Sequence, residues 1–456
     1  MKPAFGEIAE ETDEKIKFSP PPKDRCNLVY VIFFLAGIGT LLPWNFFITA
    51  IPYFQYKLRN SSVGNTMAID PSQMTREQVL FGNYLTLCSM LPLAICNILN
   101  LFLVKCIPSF HRYVVGSVLV FLMFLITVVL VCVELQSKIF LSITLASVVI
   151  INAGNALVQG GLLGIVSVLP SRNMRSHFEG QAVAGVVAAA ANIVTIAASE
   201  LPTKSALAYF TLALVFLAIS IVLTLTLKKN AYFMHYWKIE CTLKKTGSKA
   251  SKFADEAASH QPLTAPASDV IRSGRKLWLV WSLYEVLLPG LTVAFTLLVT
   301  LSLFPALMQS IRSTVYSQSS RWGSTFFSPV VVFLSFNICD WLGRFVAGMA
   351  KWPRRSQPRL MVGLSVLRAL LIPFAIFMNQ QPRYHLPVAF AHDAFPICFI
   401  IVLGLTNGYL ISLGMMYGPS FASPGNSEGA GVALSLYLAM GLVAGVAISA
   451  GLALLI

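Results

Sequence analysis

The chain has 456 residues, 56% of them hydrophobic and 11% charged, with eight cysteines and a formal net charge of +14. A soluble domain is about one quarter charged, so this composition excludes a soluble enzyme or adaptor and points to a polytopic membrane protein. The basic excess is spread over short segments between apolar runs, a distribution that argues against a nucleic-acid partner.

Residues 1–27 alternate acidic and basic residues and contain Pro20-Pro21-Pro22. They read as a tail too polar to form a core. Eleven apolar segments follow, near 28–50, 82–104, 113–134, 140–166, 180–199, 206–227, 286–308, 327–350, 360–379, 394–415 and 430–455, each long enough to cross a bilayer. The first starts too late, and carries too much Pro and Trp, for a cleaved signal peptide. The longest break, 228–275, divides the predicted spans into six and five. The expected organisation is a cytoplasmic tail (1–27), a six-helix half (28–227), a cytoplasmic central loop (228–275) and a five-helix half (276–456). Two helical halves around a central loop are how transporters built from repeats read in sequence.

With the N-terminus inside, the inner segments hold 23 Lys and Arg and the outer ones eight. That bias sets the orientation, and the basic inner loops are expected to meet anionic lipid. The single N-x-S/T sequon, Asn60-Ser61-Ser62, falls in the first outer loop, so Asn60 is the expected glycosylation site.

Along the chain, the first segment places Leu41, Trp44 and Ile48 on one face, with Pro43 and Asn45 beside the indole. Trp44 reads equally as an interface anchor or as the aromatic wall of a site for a flat ligand. The fourth segment repeats Asn152, Asn155 and Gln159 at three and four. These carboxamides could bond between helices or present donors and acceptors to a heterocycle. The fifth segment, from Gly180, reads as a small-residue packing helix. Tyr232–Lys245 is basic and aromatic, either an amphipathic surface helix or a solvated linker.

The eighth segment carries the strongest signal. Phe333, Asn337, Asp340 and Arg344 recur at four, three and four, which is one stripe of a helix. A charge at mid-bilayer costs about 2.5–3.5 kcal/mol on insertion scales, and such groups usually face a polar cavity. Asp340 and Arg344 can pair at i,i+4. A pair that only fixes helix packing is the bland alternative, and a weak stabiliser. The histidines are expected in loops or at helix ends, the cysteines as packing residues, and no phosphate-binding loop is present.

Two stretches, Gly39-Thr40-Leu41-Leu42-Pro43-Trp44-Asn45-Phe46-Phe47 and Phe336-Asn337-Ile338-Cys339-Asp340-Trp341-Leu342-Gly343-Arg344, resemble the equilibrative nucleoside transporters. Leu303-Phe304-Pro305-Ala306, Asn407-Gly408-Tyr409-Leu410 and Tyr417-Gly418-Pro419 support the resemblance, which runs from about Val29 to the C-terminus. It implies an all-α, polytopic, major-facilitator-like fold of eleven transmembrane helices in a 6+5 arrangement, and facilitative transport of nucleosides, in some members nucleobases, by alternating access. It implies no enzyme activity, cofactor or metal. By position, it implies that Asp340 and Arg344 contact ribose hydroxyls and Gln159 the base. Leu41, Trp44, Ile48, Met90, Leu93 and Leu442 match apolar positions around the ligand. Asn45, Phe304, Phe333 and Asn337 match gate or cavity positions. Phe46–Ser62 is most similar to the endosomal–lysosomal branch, yet the tail lacks an acidic-dileucine signal. The cell membrane is therefore the first expected location and the late endosome or lysosome the second. A channel and a proton-dependent endolysosomal carrier are the alternatives.

Overall fold

The computed structural model describes residues 20–59, 75–104, 106–198, 201–258, 280–316, 320–381, 383 and 386–455. Asn60 lies outside them. Among the described residues, eleven helices are long and apolar enough to cross a membrane. The first six spans are α1 (Leu28–Thr49), α3 (Arg76–Leu103), α4 (Ser109–Cys132), α5 (Ser137–Val166), α6 (Ser171–Ala197) and α7 (Pro202–Thr226). Between the first two lies the short α2 (Ile51–Lys57), and after the sixth comes α8 (Ala231–Ala258). The last five spans are built on α9 (Leu287–Leu303), α10 (Ser335–Ala350), α11 (Pro358–Leu367) with α12 (Leu371–Ile376), α13 (Ala394–Tyr417) and α14 (Ser427–Leu455).

The boundaries follow local chemistry. Pro108 and Pro170 stand just before α4 and α6, and Pro202 and Pro358 open α7 and α11. Proline lacks an N–H, and these are places where the N–H would be unpaired anyway. At the start of α3, Thr75 and Gln78 form a reciprocal capping box. The eighth span begins as two π-helical stretches, Trp322–Phe326 and Ser328–Leu334, before it tightens into α10. Pro329 near the start of the second stretch removes a hydrogen-bond donor, and wide turns of this kind recur near functional sites. α6 starts at Ser171, nine residues before the apolar run does. It therefore carries His177 and Glu179 into a span, where both are buried. The sequence had placed His177 at a helix end because hydropathy is blind to a polar turn sheltered by neighbours.

α1 packs along α6 and α7, and α4 along α5. In the second group, α9 packs along α14 and α10 along α13. The groups meet where α14 rests on α3 and α5, and where α10 and α13 rest on α6. Large apolar side chains left exposed, such as Leu87, Leu91, Ile95, Leu99 and Phe102 on α3, form outward stripes, as expected for surfaces facing hydrocarbon. α8 is docked against the end of the bundle. Its Phe233 is fully buried, stacked on Trp237 at 5.7 Å and set edge-on to Phe110 of α4. The segment 232–245 is thus helical and packs an aromatic face on the bundle, where the sequence left a membrane-surface helix and a solvated linker open.

Candidate functional site

Asp340 and Arg344 lie one helical turn apart on α10 and are 4% and 6% exposed. Arg344 Nε donates to Asp340 Oδ2 at 2.9 Å, and Nη2 lies 2.8 Å from the same oxygen. Arg344 Nη1 donates to the Phe178 carbonyl of α6 at 2.7 Å, which ties the pair to the first group. Asn407 Nδ2 on α13 donates to Asp340 Oδ1 at 2.6 Å. These two helices can come this close because Gly408 has no side chain; a Cβ there would strike the Asp340 carbonyl.

The chain of bonds continues. Thr300 on α9 donates to Asn407 Oδ1 at 2.7 Å, and Arg368 Nη2 donates to Thr300 Oγ1 at 2.9 Å. Arg368, in the 3-10 turn between α11 and α12, also donates to the carbonyls of Thr296 and Leu403 and to Thr406 Oγ1. One carboxylate thus sits between two buried guanidiniums, with an amide and a hydroxyl relaying between them. Every member has a partner, which is what makes a buried polar network tolerable. Arg344 still has two N–H groups not used in these contacts, and Asp340 Oδ1 has a further lone pair. The arrangement can therefore accept and donate hydrogen bonds to a polyhydroxyl group.

The other predicted positions fall into two clusters. Phe304 stacks on Phe336 at 4.0 Å and meets Phe333 edge-on at 5.5 Å. Asn337 bonds the Phe333 carbonyl at 2.8 Å and faces Gly185 of α6, where a Cβ would strike its Oδ1. Phe333, Phe336 and Asn337 share a span with the Asp340–Arg344 pair, and Phe304, at the end of α9, packs against the two phenylalanines. Separately, Trp44 joins Gly39, Thr40, Pro43, Asn152 and Asn155 around a small cavity of about 20 Å³. Asn152 bonds back to Val148 of its own helix, and Gln159, two turns further along α5, is half-buried. Leu41, Ile48, Met90 and Leu442 are half-buried and Leu93 is buried. The Asn45 amide nitrogen is buried and makes no hydrogen bond. Neither Trp44 nor Gln159 bonds directly to the Asp340–Arg344 pair.

Sequence reasoning missed Arg368, Thr300 and Asn407 as members of this network. The cost argument that singled out Arg344 applies equally to Arg368, which also lies in an apolar segment. Thr292, Thr296 and Thr300 recur at four along α9, a readable polar stripe.

A second cluster closes the bundle at the α8 end. Arg112 of α4 is 2% exposed, bonds Asn100 Oδ1 and Ser109 Oγ at 2.6 Å each, and lies 3.6 Å from Glu428 of α14. Glu428 also accepts from the Ser109 hydroxyl and from Lys244 of α8. Ser167, just past the end of α5, donates to the Ser427 carbonyl at 2.7 Å, and Glu240 of α8 accepts from the Ser427 N–H at 2.9 Å. These bonds join the first group, the second group and α8. No comparable packing joins α1 to α9 among the described residues.

A family model described as a nucleoside transporter matches residues 145–453. The chain is 34% identical to equilibrative nucleoside transporter 1 of Rattus norvegicus, over 94% of this chain and 98% of that one. It is 35% identical to equilibrative nucleoside transporter 2 of Mus musculus, over 94% and 97%. Among solved structures, a proton:xylose symporter of the major facilitator superfamily superposes with a TM-score of 0.57 at 13% identity, covering 93% of this chain and 88% of that one. At that identity the likeness speaks to the fold.

Proposed function

The chain belongs to the equilibrative nucleoside transporters, a family of carriers and not of enzymes, and we propose how its own residues move a nucleoside down its gradient. The observation that carries the reading is the buried Asp340–Arg344 pair with unused hydrogen-bonding capacity. In this reading the pair holds the ribose hydroxyls. Trp44 offers a face to the base, and Gln159 reads its edge. Leu41, Ile48, Met90, Leu93 and Leu442 supply apolar walls. Phe304, Phe333, Asn337 and Asn45 gate the way in. Nucleobases are secondary substrates, since they lack the group the pair recognises.

The two helical groups, 28–227 and 276–456, act as the moving bodies, joined by the 228–275 segment. The bonds at the α8 end describe a conformer closed at that end, and alternating access requires them to break. In this reading the tail and α8 face the cytoplasm, which the basic bias supports, Asn60 is glycosylated outside and the location is the cell membrane.

Radiolabelled uridine uptake into proteoliposomes tests the carrier reading. Saturable uptake, accelerated by nucleoside on the far side, is expected; a non-saturating flux would mean a channel. Replacing both Asp340 and Arg344 by apolar residues tests the site, because a purely structural pair tolerates such an exchange. The folded double variant is expected to lose uridine uptake and to retain relatively more nucleobase uptake. Normal uridine transport would show that the pair only packs helices.

A further inference from the structure

The two groups of spans differ on their outer faces. In the first, α7 covers α1 and α4 lies along α5. In the second, α11 packs on α9 and barely touches α13. This leaves an open groove between α10, α11–α12 and α13, with a volume of about 1110 Å³. That is slightly above the roughly 300–1,000 Å³ of ordinary ligand pockets. Its walls are apolar, with Leu367, Leu370, Phe395 and Val402 among the exposed side chains. Arg368 lies in its floor, but that guanidinium is spent on the network described above. The groove runs along membrane-spanning helices, so what fills it comes from the bilayer.

Its α8 end shows which component. The loop joining two of the walls reads Lys351-Trp352-Pro353-Arg354-Arg355-Ser356-Gln357-Pro358-Arg359. Lys351, Arg354 and Arg359 are exposed, and no carboxylate pairs with them among the described residues. Arg355 is occupied, bonding the Ser420 carbonyl and stacking on Phe421. Trp352 and Tyr409 line the same end of the groove, as aromatic side chains do at the headgroup level. An apolar trough whose mouth carries unpaired cations matches an amphiphile with acyl chains and an anionic head, as at basic pockets between membrane helices.

We propose that this groove is a binding site for one anionic phospholipid, its acyl chains along α13 and its phosphate on Lys351, Arg354 and Arg359. Occupancy would brace α11–α12 against α13 and so steady Arg368 behind Asp340.

The test uses the full-length purified protein, with phosphatidylglycerol and phosphatidylcholine as probes and native mass spectrometry as readout. Phosphatidylglycerol is expected to be retained at least about tenfold more tightly, since each basic residue near a lipid surface adds about fivefold. The triple variant Lys351→Gln, Arg354→Gln, Arg359→Gln is expected to erase that preference. Val402→Trp, which fills the groove, is expected to weaken both lipids. A phosphatidylglycerol carrying a diazirine on its acyl chain is expected to label peptides from 360–410 in the wild type, a readout independent of whether Val402→Trp folds. A triple variant that still prefers phosphatidylglycerol as strongly as the wild type, or acyl labelling spread evenly over the outer helices, would overturn the site. A groove closed to the probe by a second copy of the chain would overturn it too.

Discussion

Two buried ionic clusters in this protein are built on opposite plans. The Asp340 network belongs almost wholly to the second group of helices: α9, α10, the turn after α11, and α13. Among the described residues its one hydrogen bond to the first group is to the carbonyl of Phe178, whose ring also lies beside the Arg344 guanidinium. The Glu428 cluster is made of bonds that cross between groups, Arg112 and Ser109 on one side and Glu428 on the other, with Lys244 of α8 as a third party. A constellation that must keep its geometry is best held within one packed body. A closure that must open is best made of bonds between bodies. The same residue types, Arg with a carboxylate, therefore do different work according to which helices carry them.

Four experiments would break or sharpen that contrast. The largest effect is expected from Asp340→Asn, which leaves Arg344 buried without its counter-charge. Breaking a buried pair costs about 3–5 kcal/mol, so riboside uptake per surface-expressed molecule should fall at least about a hundredfold. Thiol accessibility at the α8 end should stay as in the wild type; a large rise there would mean that the two clusters are not separable.

Glu428→Gln is expected to do the reverse. It leaves Arg112 unpaired in the closed conformer, so a reporter Ser167→Cys, in a background without the eight native cysteines, should react with a membrane-permeant thiol reagent at least about tenfold faster. An unchanged rate would remove Glu428 from the closure. Uridine binding, measured by equilibrium displacement, should change much less than transport does.

Trp44 comes next. Stacking of a base on an aromatic side chain is worth about 1–3 kcal/mol, so Trp44→Ala should lower nucleoside affinity by about five- to a hundredfold and Trp44→Phe far less. If Trp44→Ala instead reduces only the amount of protein in the membrane, the indole is an anchor.

The smallest effect is expected at Thr300→Val, which keeps the shape and removes the hydroxyl between Asn407 and Arg368. A neutral hydrogen bond is worth about 0.5–1.5 kcal/mol, so uptake should fall by a few-fold to about tenfold. Thr296→Val is the control, because the Thr296 hydroxyl donates only to its own helix. Equal behaviour of the two would show that the network ends at Asn407.

What the sequence alone determined about this protein was whatever local chemistry suffices to state. Eleven apolar runs of bilayer length can only become spanning helices, since every backbone polar group must be satisfied inside the segment. The four-three-four spacing of Phe333, Asn337, Asp340 and Arg344 put them on one stripe whatever the neighbours are. The family's two motifs were legible for the same reason, being contiguous. Tertiary structure decided the rest. The start of α6 at Ser171 depends on shelter from other helices for His177 and Glu179, which no hydropathy window contains. The amphipathic segment 232–245 was undecided until Phe233 and Trp237 found Phe110 to pack against. Arg368, Thr300 and Asn407 lie on three elements far apart in the chain, and the meeting of α10 with α13 at Gly408 brings Asn407 to Asp340. Arg112 and Glu428, 316 positions apart, become partners only because the two groups close at one end. Spacing within a helix is written in the order of residues; contact between helices depends on how side chains pack, and that emerges only when the whole bundle is assembled.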